Sequence, residues 1–273
     1  MLQILLTNDD GIRSPGLWAA AEALSALGWV TVVAPREQSS GAGRSMPSSF
    51  TGVITEETIT VKGKPWKVYA VDGTPAQAVQ HGVLEVMSTP PDLVVAGINY
   101  GENLATGVTI SGTVGAALEG AALGFPAMAV SLETPKDYHF SYSTDVDFSA
   151  AAHFTRYFAE RILSTPLPED VYALKVDVPW RGTAQTDWRV TRLARKRYYR
   201  IVAPKRASWQ EPGLAGYVPG DPPETFDPES DVYTVRVRRL VSVTPLSLDL
   251  TSRVDLKALE RQLRGENRPE GDF

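Results

Sequence analysis

Residues 3–28 read QILLTNDDGIRSPGLWAAAEALSALG. Ile4, Leu5 and Leu6 make a short buried strand. Ser14 then supplies an N-cap ahead of Pro15 at the first helical position, and Leu17, Ala21, Leu24 and Leu27 return at helical spacing until Gly28 stops the helix. The same alternation continues outward from this β-loop-α unit. Strands are expected at residues 29–33, 93–96 and 127–131, and helices at 76–87 and 113–123. Phe148, Ala151, Phe154, Phe158 and Ile162 add an amphipathic helix over 147–163, and 171–178 reads as a strand closed by Pro179. Buried strands alternating with helices specify an α/β fold, a Rossmann-like three-layer sandwich with a mostly parallel sheet.

Beyond Pro179 the composition changes. Arg192, Arg195, Lys196, Arg197, Arg200, Lys205 and Arg206 crowd around Tyr198 and Tyr199, and prolines and glycines fill residues 212–228. Residues 232–237 and 240–243 read as paired strands, and 253–263 as a short charged helix before a polar tail. The organisation expected is one domain over 1–273. Its α/β core over 1–180 carries the site, 181–250 form a β-arm and returning strands, and 251–273 form a terminal helix and tail.

The bulk numbers narrow the function. A chain of 273 residues that is 43% hydrophobic buries one large core. A net charge of -5 gives no overall attraction to nucleic acid or anionic lipid, so an anionic substrate must be captured by a local site. The absence of cysteine excludes disulfides and thiolate chemistry, and three histidines are too few for a multi-histidine metal centre. No apolar run is long enough for a membrane span, and the first residues lack the basic flank of a leader peptide, so a cytoplasmic location is expected.

Asn8-Asp9-Asp10-Gly11 follows the first strand, at the carboxyl edge where open α/β sheets place their ligands. Adjacent aspartates can share one ligand only if the chain turns between them, and Gly11 permits that turn. Two carboxylates held together repel unless a cation lies between them. The same four residues are also ordinary turn composition, so the neighbouring loops must decide. Three more loops, all rich in small polar residues, come to the same edge: 38–43, 97–103 and 110–113. Ser111-Gly112-Thr113 opens a helix, where free N–H groups and the helix dipole suit a phosphate, although a plain N-cap has the same composition.

Together these residues resemble the SurE survival-protein phosphatases. The shared motifs run in order: Asn8-Asp9-Asp10-Gly11 with Pro15-Gly16, Ala34-Pro35, Ser40-Gly41-Ala42 and Gly73-Thr74-Pro75. They continue with Gly97-Ile98-Asn99-Tyr100-Gly101-Glu102-Asn103, Ser111-Gly112-Thr113-Val114, Glu119-Gly120 and Gly124-Phe125-Pro126-Ala127. Val176-Asp177-Val178-Pro179, Asp231 and 241–246 complete the set. The resemblance implies a 5′/3′-nucleotidase whose single divalent cation, Mg²⁺ or Mn²⁺, is held by Asp9, Asp10, Ser40 and Asn99. Asp9, Asp10 and Asn99 are then the catalytic set. Asn103, Ser111, Gly112 and Thr113 line the phosphate, with Gly41 on the substrate side and Asn8 supporting its loop. It also implies a homodimer or homotetramer built through C-terminal elements, nucleoside monophosphates as partners, and short-chain polyphosphate as a second substrate.

Some positions depart from the family pattern. Ala105 stands where glycine is usual, Ile110 where an aromatic residue is usual, and Arg239-Leu240 where Gly-Tyr is usual. All-oxygen donors suit Mg²⁺ or Mn²⁺ better than zinc. Water is the expected nucleophile, with attack by an aspartate left open. A nucleotide-binding or sensor module on the same fold is the alternative of different class. His81, His139 and His153 read as packing or surface residues, and Tyr100 as a cover for its loop or a platform for a base. The basic cluster reads as a solvated arm or as a device that steers phosphate toward the cleft.

Overall fold

Ile4 and Leu6 pack on one face of the first strand and Leu5 on the other, and this alternation sorts the core into two layers. The computed structural model describes residues 1–139 and 142–266; the polar tail after 266 lies outside them. Its first half runs β1 (Gln3–Thr7), α1 (Pro15–Leu24), β2 (Trp29–Pro35), β3 (Ile54–Val61), β4 (Lys64–Val71), α2 (Pro75–His81) and β5 (Leu93–Tyr100). There follow α3 (Gly112–Ala122), β6 (Ala127–Leu132), α4 (Ser149–Ser164), β7 (Ala173–Val178), β8 (Trp188–Val190), β9 (Tyr199–Val202) and β10 (Gly216–Pro219). The described chain ends with α5 (Asp231–Arg236), β11 (Val241–Leu246) and α6 (Leu256–Leu263).

Nine strands form one sheet in the order β3-β4-β2-β1-β5-β6-β7-β11-β8. The pairs from β4 through β7 are parallel, while β3 and β11 run antiparallel to β4 and β7. Helices α1 and α4 cover the face that carries Ile4 and Leu6, and α2 and α3 cover the face that carries Leu5. The chain leaves β1 toward β2 on one side and returns at β5 on the other. The crevice outside the carboxyl ends of β1 and β5 is therefore the switch point where α/β sheets bind ligands.

The structure corrects several local expectations. Residues 54–71, given no element from sequence, form the β3–β4 hairpin at the sheet edge. The helix expected over 76–87 is α-helical only to His81 and continues as a wider π-type turn at Gly82–Val86. Residues 232–237 are not a strand. Ser230 caps α5 by accepting from the Tyr233 N–H, and Val232 and Val235 fall on one buried face. Valine and threonine had suggested a strand, and tertiary packing overrides that propensity. The strand after α5 returns to the main sheet against β7, while β9 and β10 make a separate two-stranded ribbon. Among the described residues, no helix is long and apolar enough to cross a membrane.

Candidate active site

After β1 the chain turns at Gly11, whose φ of +96° is a left-handed conformation. Asn8 closes this turn from within. Its Nδ2 donates to the Gly11 carbonyl at 3.0 Å, and its Oδ1 accepts from the Gly11 N–H at 3.2 Å. Asn8 thus spends its carboxamide on the loop, and it does not line the cleft.

Asp9 and Asp10 leave this turn in different surroundings. The Thr113 hydroxyl donates to Asp9 Oδ1, and the Gly112 and Thr113 N–H groups also face that carboxylate. The first turn of α3 is therefore aimed at Asp9. Gly112 is what allows the approach, because a Cβ there would lie 2.7 Å from Asp9 Cβ. Asp10 accepts from the Tyr100 N–H and from Gln38 Nε2, both at 3.2 Å. Burial pushes the Asp9 carboxyl above its ordinary range against these donors; burial and then the charge of Asp9 push Asp10 well above it. Neither carboxylate has an ion pair among the described residues.

Asn99 comes from the end of β5, where the register against β6 shifts between Ala96 and Asn99. The irregularity re-aims the strand end into the cleft. Asn99 Nδ2 donates to the Gly101 carbonyl at 2.7 Å, which leaves Oδ1 as the acceptor it can offer. Farther along the loop, the Asn103 N–H donates to Asp177 Oδ1 and its Nδ2 to Ser131 Oγ, both at 2.8 Å. Ser111 is the N-cap of α3, accepting from the Val114 N–H at 3.1 Å.

These loops enclose a cleft of about 670 Å³. Asp9, Ser40, Gly41, Asn99, Asn103 and Ser111 line it, whereas Asn8, Asp10, Gly112 and Thr113 stand behind that surface. A larger, shallower groove of about 1090 Å³ runs beside α1, β3 and residues 144–149 and holds none of the candidate residues. Among the described residues, no three His, Cys, Asp or Glu side chains come together as a metal-holding group. A cation here would rest on two carboxylates supplemented by neutral oxygens.

Sequence reasoning missed four cleft-side residues. Gln38 ties Asp10 to the His139 carbonyl, at 3.2 and 2.9 Å. His139 lines the cleft rather than packing elsewhere: its Nε2 donates to the Thr134 carbonyl at 3.2 Å, and its Nδ1 faces the Tyr217 hydroxyl at 3.1 Å. Burial lowers its pKa. Glu102 and Tyr199 are joined at 2.6 Å across the cleft. The signal for Glu102 was present, a charged residue inside a loop of small polar ones. Tyr100 also borders the cleft, and it acts as a cover for its loop: its ring meets Phe148 edge-on and its hydroxyl donates to the Ser143 carbonyl.

Two members of the basic cluster, Arg195 and Arg197, line the cleft, while Lys196 pairs with Asp221 and Arg192 with Glu229. Ala105 and Arg239, the two residues in place of an expected glycine, both sit at φ +56°. Ile110 lies exposed on the cleft wall.

The comparisons with known proteins agree with one another. A family model described as "Survival protein SurE" matches residues 4–200. The chain is 43% identical over 266 residues to the 5′-nucleotidase SurE of Thermococcus gammatolerans, covering 97% of both chains. It is 44% identical over 261 residues to the 5′-nucleotidase SurE of Archaeoglobus fulgidus, covering 95% of this chain and 96% of that one. The crystal structure of the SurE protein from Aquifex aeolicus superposes with a TM-score of 0.74 at 33% identity, over 96% of this chain and 99% of that one.

Proposed function

The chain belongs to the SurE family, and from that premise we propose that it is a metal-dependent phosphomonoesterase releasing phosphate from nucleoside 5′- and 3′-monophosphates, with short-chain polyphosphate as a further substrate. The observation that carries this reading is the Asp9–Asp10 pair. Two adjacent carboxylates are buried at the carboxyl end of β1 with no cationic side chain paired to them among the described residues.

The donor set fits a hard divalent cation, Mg²⁺ or Mn²⁺. Asp9 and Asp10 would provide its charge, and the Asn99 amide oxygen and Ser40 hydroxyl the neutral ligands. When bound, such an ion supplies positive charge against the phosphate and activates water. The chain's own residues do the rest. The start of α3 orients Asp9, Asn8 holds the loop, and Asn103 and Ser111 line the phosphate end of the cleft. Arg195 and Arg197 at the mouth draw the anionic substrate inward. Water is the nucleophile in this reading: both Asp10 oxygens already accept hydrogen bonds, from Gln38 and Tyr100, and Asp9, with Oδ1 held by Thr113, is assigned to the cation.

Assembly into a dimer or tetramer through the C-terminal elements is supported by exposed apolar residues there, among them Trp209, Leu214, Leu250 and Leu263. The test of function is phosphate release from a panel of nucleoside monophosphates, with and without Mn²⁺ or Mg²⁺. Metal-independent release would sink the proposed site, and nucleotide binding without any release would favour a binding module.

A further inference from the structure

A phosphate occupies only the inner end of a cleft of about 670 Å³, and the remaining wall must meet the rest of the substrate. Glu102 belongs to that wall. It lies between Asn99 and Asn103 on one loop, so a group attached directly to the phosphate comes within its reach. The residue is 6% exposed, and its two oxygens differ. Oε1 accepts from the Tyr199 hydroxyl at 2.6 Å and is approached by Arg236 at 3.5 Å. Oε2 is buried with no hydrogen-bond partner among the described residues. Arg236 is shared between Glu102 and Glu133, lies nearer Glu133, and meets Glu102 at Oε1 and not at Oε2.

A buried acceptor left unsatisfied is costly, and its cost is recovered when a ligand brings a donor. Next to the phosphate of a nucleotide, the available donors are the hydroxyls of the sugar. We infer that Glu102 reads the sugar of the substrate, accepting a ribose hydroxyl at Oε2 while Tyr199 of the arm fixes Oε1. This rests on the nucleotidase reading and adds to it a residue that discriminates ribose from deoxyribose. Burial pushes the Glu102 carboxyl up to about 7, and a hydroxyl donating to Oε2 favours its ionised form.

The test compares kcat/KM for AMP, 2′-deoxy-AMP and 3′-deoxy-AMP in the wild type and in Glu102→Ala. The wild type is expected to prefer AMP over at least one deoxy substrate by about tenfold or more, the loss for one hydrogen bond to a charged group. In Glu102→Ala that ratio falls to about one. A merely structural role would lower all three substrates together and leave the ratio unchanged, which overturns the inference. So does a wild type that hydrolyses all three equally. Glu102→Gln, isosteric and able to present an NH₂ group where Oε2 stood, is expected to lose the same preference, and it carries the comparison if the alanine variant does not fold. No phosphate release from any nucleotide would instead overturn the reading on which the inference rests.

Discussion

Among the described residues two pairs of aspartates are buried, Asp9 with Asp10 and Asp177 with Asp231, and they are balanced in opposite ways. Lys175, itself fully buried, pairs with Asp177 and reaches Asp231 at 3.2 Å. Asp231 also accepts from the N–H groups of Ala105 at 2.8 Å, Ala194 at 3.0 Å and Val232 at 2.9 Å, and Asp177 from that of Asn103. This closed network ties the cleft loop, the basic segment and α5 to the sheet. Burial pulls the Lys175 ammonium down, and its two carboxylates outweigh that, so it stays above its ordinary pKa. The Asp9–Asp10 pair has hydrogen bonds but, among the described residues, no cationic side chain paired to it. A charge balanced internally serves the fold, and one left unbalanced in a cleft is available to a ligand.

The sharpest way to break this contrast is to delete one carboxylate from each pair. Asp9→Ala is expected to lower kcat/KM for nucleotide hydrolysis about 10⁴-fold with little loss of stability, measured by phosphate release and urea unfolding in parallel. Lys175→Met removes the cation from the closed pair and strands two buried carboxylates. It should cost about 3–5 kcal/mol in urea unfolding.

Glu102, half partnered, stands between the two cases. Its folded pKa of about 7 lies above the ordinary value of 4.5, so the native state holds a proton that the unfolded chain has released. The associated stability is present below pH about 4.5 and is lost as pH rises to about 7, amounting to about 3 kcal/mol at most. Glu102→Gln is expected to flatten the pH dependence of Tm across that window. Filling the open pair from outside gives a comparable effect. Free Mn²⁺ at about a hundred times its Kd should stabilise the wild type by about 2.7 kcal/mol and leave Asp9→Ala unmoved.

The smallest effect concerns the backbone that the closed pair holds. Ala105 sits at φ +56° with its N–H on Asp231. Ala105→Gly relieves the left-handed conformation and gives part of the gain back in chain entropy, so a net rise of about 0.5–1 kcal/mol is expected by thermal unfolding.

The parallel core and the loops of the site were legible because they rest on local regularities. Buried strands show as apolar runs, α3 and α4 keep helical spacing, and glycine and small polar residues punctuate the strand ends. The β3–β4 hairpin was not legible, since its edge strand ITEETITV exposes polar residues on both sides. Nor was α5, where the bonds of Ser230 and the packing of Val232 and Val235 overrule strand propensity. His139 and Tyr199 reach the cleft from distant positions, and no pattern within their own segments announces it.

By itself, the sequence determined the β-loop-α order and led to the expectation that Asp9, Asp10, Ser40, Asn99, Asn103 and Ser111 come to one edge of the sheet, at strand ends and in the loops after them. Strand order and loop composition are local properties, and the family motifs lie in those loops. Tertiary structure alone decided which of these residues face the cleft and which stand behind it. It also decided that α3 points at Asp9, that Lys175 closes one acidic pair while the other stays open, and that the arm brings Tyr199 to Glu102. Burial and charge balance depend on what folds in from far along the chain: Lys175 and Asp177 share one face of β7 by strand alternation, but only the fold brings Asp231 to them, and none of it brings a cationic side chain to Asp9 and Asp10 among the described residues.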